Sequence, residues 1–225
     1  MPRRLLAVAA LAVLGLTGCT APAPVSTPTA APAAEAPSNT PSPEPEAAPA
    51  DLVVRGGGVE LYDSDGALVG SFVWADETET ALEVLELAFG PAPTPGLREG
   101  DGTHYADFAT YDFVGLTYFT AIDLEKPRTE YFLPSVVQVD TGELINGVRI
   151  RTVDDLSVGG TAADVLAASP QLEYPDPLGT AYLFDAVDPS KISALDDFTD
   201  MVAVLVDPDG FIMRIVSPYQ SRALI

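Results

Sequence analysis

The chain has a single cysteine, Cys19, and a single histidine, His104, among its 225 residues. One cysteine has no disulfide partner within the chain, so the fold does not rest on disulfide bonds. Zinc and iron sites need several histidine or cysteine ligands, which this sequence lacks. The sequence therefore predicts no cofactor.

Basic residues are also scarce. The chain has 11 Lys and Arg against 33 Asp and Glu, which gives a formal net charge of −22. Such a surface repels phosphate backbones and anionic head groups, so nucleic acid is excluded as a partner. Cations, basic proteins and neutral ligands stay open, and solubility by itself would also account for the acidity.

No apolar run is long enough to span a membrane. The run at residues 5–16 has 12 residues, whereas a transmembrane helix needs about 20. Arg3 and Arg4 precede this run, and the small residues Thr17 and Gly18 follow it, which is typical of an export signal. General secretion is favoured over the twin-arginine route, because the rest of the twin-arginine motif is missing.

The signal ends in the sequence Leu16-Thr17-Gly18-Cys19. These residues resemble the lipobox of bacterial lipoproteins, whose cysteine receives diacylglycerol. The resemblance implies cleavage before Cys19, lipidation of Cys19 and attachment to the extracytoplasmic face of the cell membrane, where stable anchoring takes more than one acyl chain. The alternative, an ordinary secretory signal with a cysteine near its cleavage site, leaves an unpaired thiol unexplained.

Composition divides the chain into a signal peptide at 1–18, a lipidated stalk at 19–50 and a folded part at 51–225. Residues 20–50 contain nine prolines and little apolar bulk, so they cannot bury enough surface to offset the entropy of ordering. A proline-rich chain is extended and semi-rigid. We therefore expect the stalk to hold the folded part away from the membrane.

Short β-prone stretches alternate with turn signals in the folded part. Asp-Gly turns at 63–66 and 207–210 are each flanked by two such stretches, which predicts two hairpins. The predicted strand pairs are 59–62 with 67–74 and 202–206 with 211–216. A third hairpin is predicted within 131–152, turning near 140–142, and further strands are predicted at 105–113, 115–121 and 181–184.

Apolar spacing predicts two short helices, which begin near Thr80 and Thr161. Each threonine is followed three residues later by an acid, Glu83 or Asp164, as in a capping box. The six residues from each threonine onward also match each other, which indicates an internal duplication over 51–130 and 131–225. The predicted fold class is α+β, with two tandem repeats, each a short helix packed on a small antiparallel sheet.

The element at 157–166 has small residues and a capped helix, followed by a proline-containing loop and a tyrosine-containing strand. It resembles the repeat of the beta-lactamase-inhibitor-protein-like and outer-membrane assembly lipoprotein folds. That resemblance implies a protein-binding module of the cell envelope without a catalytic centre. Because this chain lacks the cysteines of the inhibitor-type repeats, no binding residue is carried over.

The sequence contains no catalytic motif that we recognise. A Ser-His-Asp site would have to use His104, yet there is no Gly-x-Ser-x-Gly elbow, and a loop histidine facing solvent is the simpler interpretation. The acid pairs Asp154-Asp155 and Asp196-Asp197 could in principle serve a glycosidase. Neighbouring side chains in a strand usually point apart, however, which argues against this use.

Three other segments have both a functional and a structural interpretation. Asp63-Ser64-Asp65-Gly66 begins like a calcium-binding loop, but 69–74 lacks the remaining ligands, so a hairpin turn is preferred. Gly56-Gly57-Gly58 lacks the Lys and Ser/Thr of a phosphate-binding loop and is interpreted as a flexible junction. The aromatic residues of 105–119 could line a binding face or cover both faces of a buried sheet.

The sequence therefore predicts a membrane-anchored extracytoplasmic lipoprotein that acts as a non-enzymatic binding or scaffolding module, with an envelope protein as its partner. It predicts no catalytic residue, no cofactor-binding residue and no metal ligand, and Cys19 is the one predicted site of modification. Two alternatives stay open, namely an envelope hydrolase with an unrecognised site and a passive spacer.

Overall fold

The computed structural model describes residues 47–100, 106–122, 134–192 and 199–220. Cys19, His104 and the Asp196-Asp197 pair lie outside these ranges, so their predicted roles stay predictions. Strand accounts for 49% of the described residues and helix for 14%. The described part of the chain is therefore mostly β, which already differs from the predicted α+β class.

Within the described ranges there are 12 strands in two sheets and two α-helices. In chain order the elements are β1 (Pro49–Arg55), β2 (Gly58–Asp63), β3 (Leu68–Val73), α1 (Thr78–Phe89), β4 (Gly96–Arg98), β5 (Asp107–Asp112), β6 (Leu116–Ile122), β7 (Ser135–Val139), β8 (Arg149–Thr152), α2 (Ala162–Ala167), β9 (Leu172–Asp176), β10 (Gly179–Phe184), β11 (Asp200–Val206) and β12 (Ile212–Gln220). A short 3-10 turn at Pro189–Lys191 follows β10.

The strands form a small sheet and a large sheet. The small sheet has four strands in the order β3-β2-β1-β8, and the large sheet has eight in the order β4-β5-β6-β7-β12-β11-β10-β9. Neighbouring strands are antiparallel except for β1 and β8, which run parallel. The parallel pair joins two segments that are about a hundred residues apart in the chain.

Two of the three predicted hairpins are confirmed. β2 pairs with β3, and β11 pairs with β12, each across an Asp-Gly turn. At the first turn the Asp63 carboxylate accepts hydrogen bonds from the N–H groups of Asp65 and Ala67, at 2.9 and 2.8 Å. Its role is thus to close a turn, in agreement with the interpretation preferred from the sequence.

The third predicted hairpin is wrong, because β7 and β8 lie in different sheets. β7 pairs with β6 and β12 in the large sheet, whereas β8 pairs with β1 in the small sheet. The chain leaves the large sheet after Val139, and Ile150 enters the core from the small sheet. The chain reversal comes later than 140–142, at Asn146-Gly147. The strands predicted at 105–113, 115–121 and 181–184 are present as β5, β6 and β10.

The predicted fold of two helix-on-sheet repeats is wrong. Strands from the two halves of the chain are interleaved, since β1 pairs with β8, and β7 lies between β6 and β12. Leu52 and Leu61 of the small sheet and Leu116 and Val204 of the large sheet share one buried core. Neither half could bury its apolar face without the other, so the fold is a pair of sheets over one core.

The six-residue sequence match also lacks a structural counterpart. At α2 the predicted capping box is confirmed, because Thr161 and Asp164 exchange side-chain to backbone hydrogen bonds. At α1, however, the cap is Glu77, which makes no side-chain capping bond, and Thr80 lies inside the helix. The match aligns a helix cap with a helix interior, so the two segments have different structural roles.

Strand β11 of the large sheet is buried on both of its faces. Its alternate residues Val202, Val204 and Val206 belong to the core shared by the two sheets. The intervening residues Met201, Ala203 and Leu205 belong to a second cluster on the opposite face. A strand with no polar face is typical of the centre of a covered sheet.

The β1–β2 turn fastens the small sheet to the large one. The Gly56 N–H donates to the Asp185 carboxylate at 3.1 Å, and the Trp74 indole N–H donates to the Gly56 carbonyl at 2.5 Å. A Cβ on Gly56 would lie 2.0 Å from the Asp185 carbonyl oxygen. The segment Gly56-Gly57-Gly58 is therefore a close-packed turn, and its interpretation as a flexible junction is wrong.

We expect Gly56→Ala to lower the free energy of unfolding by about 3 kcal/mol, because a backbone carbonyl cannot move aside without shifting the turn. Gly57→Ala is the matched control, since its added Cβ would meet only a Val187 methyl group at 3.6 Å. Urea denaturation of both variants measures the difference. Equal effects would show that the contact with Asp185 does not constrain the fold.

A group of ion pairs joins β1 to β8 on the outer face of the small sheet. The Asp51 carboxylate accepts from the Nε groups of Arg149 at 2.8 Å and Arg151 at 3.3 Å. Desolvation by itself would raise the pKa of Asp51, but the hydrogen bonds and charges of the two arginines outweigh it and lower the pKa below its usual value. The ionised carboxylate is thus favoured in the folded chain.

The pKa of Asp51 is lower in the folded chain than in the unfolded chain, so its ionisation stabilises the fold at any pH above the unfolded pKa. This contribution is lost as the pH falls through the folded pKa. For Asp51 the loss begins below about pH 4. We expect Asp51→Asn to lower stability at pH 7 by less than about 1 kcal/mol, since the pairs are partly exposed, and to flatten the dependence of stability on pH below pH 4. Denaturation from pH 7 to pH 3 tests this, with Asp209→Asn in the exposed β11–β12 turn as control.

Candidate functional site

A cleft of about 450 Å³ opens at the C-terminal end of α1, between the β5–β6 turn and the loop from β7 to β8. Its floor is apolar, with the rings of Phe89 and Phe113 in contact at a centroid distance of 5.8 Å. Pro91 and Pro93, in the loop after α1, add to the apolar wall. This volume is typical of ligand-binding sites in proteins.

Hydrogen bonds hold the walls of the cleft in place. Gly90, at φ 93°, ends α1 and turns the chain towards the cleft. The Glu86 carboxylate then accepts from the Ala92 N–H at 3.0 Å. From the opposite wall, the Asn146 side-chain amide donates to the Phe89 carbonyl. The cleft is therefore preformed by contacts within the chain.

One wall is a tight two-residue turn at Asn146-Gly147. Its flanking residues Ile145 and Val148 exchange both backbone hydrogen bonds, at 3.1 and 2.9 Å. Both central residues have positive φ, at 50° and 84°. Asn followed by Gly is the preferred sequence for this geometry, because both residues tolerate the left-handed region.

The facing wall is a turn of the same kind, with an unfavourable residue in it. In the β5–β6 turn the Phe113 N–H donates to the Leu116 carbonyl at 2.8 Å, and Val114 and Gly115 have φ of 61° and 109°. A β-branched residue in this region is a genuine outlier, with a cost of about 1–2 kcal/mol. The Asp112 carboxylate supports the turn by accepting from the Val114 N–H at 2.9 Å.

Packing against the described residues does not offset this strain. Val114 is 84% exposed, and Leu144, which also lines the cleft, is 60% exposed. Strained backbone conformations cluster at functional sites, where the surrounding structure maintains them. Two exposed apolar side chains over an apolar floor make this cleft the best candidate for a functional site.

The electrostatic character of the cleft is negative. Asp112 and Glu143 line it, and none of its described lining residues is basic. The cleft also lies at the C-terminal end of α1, whose last turn has no basic residue, and the free carbonyl groups of a helix C-terminus favour cations. The Arg214 Nε is paired at 2.5 Å with the carboxylate of Asp140, which precedes the lining residue Thr141.

The predicted acid pair Asp154-Asp155 does not form a joint site. The Asp155 carboxylate is paired with an Arg149 guanidinium nitrogen at 3.0 Å. Asp154 instead faces Asp185, and desolvation followed by the charge of Asp185 raises its pKa. Among the described residues there is no group of three or more metal-ligating side chains.

The aromatic segment is divided between two faces of the large sheet. Tyr118 lies fully buried in the shared core, where its ring meets Phe72 edge-on at 5.9 Å. On the other face Phe119 contacts Phe108, and the Arg98 guanidinium lies 5.5 Å from the Phe119 ring centroid. Phe108, Tyr111 and Phe119 are only half-buried, so this part of the sheet is not covered on both faces as the structural interpretation requires. Phe113 is the one described aromatic residue of the segment that lines the cleft.

Sequence reasoning missed the residues that line the cleft. Val114 was the single residue between two predicted strands, at the point where a tight hairpin turn was required. An available signal was therefore a Val-Gly pair where Asn-Gly or Asp-Gly is expected. That signal would have marked Val114 as unusual. It would not have shown that Leu144 and Glu143 line the same cleft, because that depends on the tertiary fold.

We expect Val114→Asn to raise the free energy of unfolding by about 1 kcal/mol, because asparagine tolerates the left-handed conformation. This corresponds to a rise in melting temperature of about 2–4 °C for a chain of this size. Val187→Asn is the control, since Val187 is also exposed but has a negative φ. A Val114→Asn variant that is no more stable than wild type would show that Val114 is not strained.

In the part of the chain that the structure describes, no helix combines the length and the apolar character needed to cross a bilayer. Comparison of the chain with protein-family models, with curated proteins and with solved structures finds no match.

Proposed function

We propose that the protein is a lipid-anchored extracytoplasmic lipoprotein that binds another protein of the cell envelope through the cleft beside Val114. The sequence Leu16-Thr17-Gly18-Cys19 supports the anchor, and the proline-rich stalk supports a position away from the membrane. The observation that carries the binding role is the strained and exposed Val114 on the rim of the cleft.

The two turns of the cleft differ in how well their residues fit the backbone. Asn146 fits its positive φ, whereas Val114 does not, although both residues stand in turns of the same kind. An exposed valine stabilises nothing until something covers it, and full burial of such a side chain contributes about 1.5 kcal/mol. Val114 therefore stabilises the protein only when an apolar group of a partner covers it, because its burial then lowers the free energy of the complex.

The lining of the cleft fits binding better than hydrolysis. Three of its polar side chains already make hydrogen bonds. Asp112 accepts from the Val114 N–H, and Asn146 donates to the Phe89 carbonyl. Thr141 likewise accepts from the Glu143 N–H at 3.1 Å. These side chains shape the walls, and no histidine or lysine stands among the described lining residues to activate the Thr141 hydroxyl as a nucleophile.

The cleft also argues against a passive spacer. A protein that serves only as a spacer has no use for a cluster of exposed apolar side chains. Such clusters often mark an interaction site. Val114 and Leu144 are such a pair.

Site-specific photo-crosslinking in intact cells tests this proposal. A benzophenone amino acid is placed at position 144 of the full chain and, as a control, at position 178. Leu178 is also exposed, at 48%, but it follows β9 at the opposite edge of the large sheet from β4 and β5. We expect a protein adduct of defined mass from position 144 only, because only this position lies in the cleft.

Two further variants separate binding from anchoring. Val114→Asn is expected to weaken the adduct at position 144 without loss of folded protein, and Cys19→Ala is expected to abolish it by releasing the protein from the membrane. The same adducts from positions 144 and 178, or an adduct that Val114→Asn leaves unchanged, would contradict a binding role for the cleft.

A further inference from the structure

The charge of the cleft restricts the chemistry of its ligand. Asp112 and Glu143 line the cleft, and none of the described lining residues is basic. The C-terminal carbonyls of α1 add partial negative charge on the same side, and the last turn of α1 contains Glu86 and no basic residue. A ligand with an anionic group would be repelled here, whereas a cationic group would be attracted.

The wider surface reinforces this preference. The chain has a net charge of −22, so acidic partners and a second copy of the same chain are disfavoured at long range. Arg214 is paired at 2.5 Å with the carboxylate of Asp140, the residue before the lining residue Thr141. Its charge is therefore offset, and the field at the cleft stays negative.

The exposed rim restricts the size of the ligand. Val114 and Leu144 are 84% and 60% exposed, so they stand above the floor of the cleft and are not enclosed by it. A small molecule that fills about 450 Å³ would leave much of both side chains in water. An extended segment of a protein that crosses the opening would cover both and would reach the two carboxylates as well.

We infer that the ligand is an extended basic segment of a partner protein, which places a lysine or arginine between Asp112 and Glu143 and an apolar side chain against Val114 and Leu144. This inference rests on the proposed function and adds the chemical class of the partner segment. It follows from the coincidence, in one cleft, of an apolar floor, an exposed apolar rim and carboxylates without a basic neighbour among the described lining residues.

A phage-displayed library of random heptapeptides, panned on the purified full chain, tests the inference. We expect peptides selected by the wild type to be enriched in lysine or arginine next to an apolar residue. The same library is panned on the double variant Asp112→Asn/Glu143→Gln, in which the new amide keeps an acceptor oxygen for the Val114 N–H. Basic residues should no longer be enriched with this variant.

The most enriched peptide then serves as the probe in a fluorescence anisotropy titration. Asp112→Asn and Glu143→Gln should each weaken its binding about threefold, and the double variant about tenfold, as for partly exposed charge pairs. Added salt should weaken binding to the wild type more than to the double variant. Glu173→Gln, in β9 at the far edge of the large sheet, is the control and should leave binding unchanged.

The outcomes distinguish this inference from the proposed function. Peptides that need Val114 and Leu144 but show no preference for basic residues would overturn the inference and leave the cleft as a binding site. Peptides whose binding is unaffected by Val114→Asn and by Leu144→Ser would overturn both. The small amine phenethylamine would contradict the inferred partner segment if it displaced the peptide at a concentration similar to that of the peptide itself. A second copy of the chain as the adduct at position 144 would contradict it as well.

Discussion

The two sheets of this protein are held together by the apolar side chains that face each other between them. Leu52 and Leu61 from the small sheet meet Leu116 and Val204 from the large one, and neither set is accessible to water. Phe72 links the two sheets directly, because its ring meets Tyr118 edge-on. The docking of α1, the β1–β2 turn and the cleft all depend on this shared core.

The position of α1 follows from that packing and decides where the cleft lies. The helix buries Val84 against Gly70 of β3, and the Thr78 hydroxyl lies 2.7 Å from that of Thr120 in β6. Its C-terminus is thereby carried to the β5–β6 turn, where Phe89 meets Phe113. A rigid core thus places two turns of similar geometry on opposite sides of one opening.

At that opening one turn contains a residue that does not favour its backbone conformation, unlike the other tight turns of the fold. Tight turns at Gly66, Gly147 and Gly210 have residues that tolerate positive φ. Val114 does not, and it gains no burial in return. Conflict between a local rule and the overall fold is expected at functional sites, because a folded protein can tolerate strain that a stable scaffold imposes.

Acidic side chains have basic partners on the small sheet but not in the lining of the cleft that the structure describes. On the outer face of the small sheet, Asp51 and Asp155 are matched by Arg149 and Arg151. At the cleft the carboxylates lack such partners among the described lining residues. Acidic groups thus stabilise strand pairing in one place and leave an attractive field for a cation in the other.

The sequence by itself determined the local elements: the Asp-Gly hairpins, the capped helix at Thr161 and the strands β5, β6 and β10, because turn chemistry and side-chain periodicity act between near neighbours. The acidity is likewise a property of the sequence, and the anchor at Cys19 stays a prediction from it. The tertiary structure alone decided that β8 pairs with β1 and that Leu144 stands near Val114. Such contacts are chosen by burial over the whole chain, and a short sequence pattern carries no information about them.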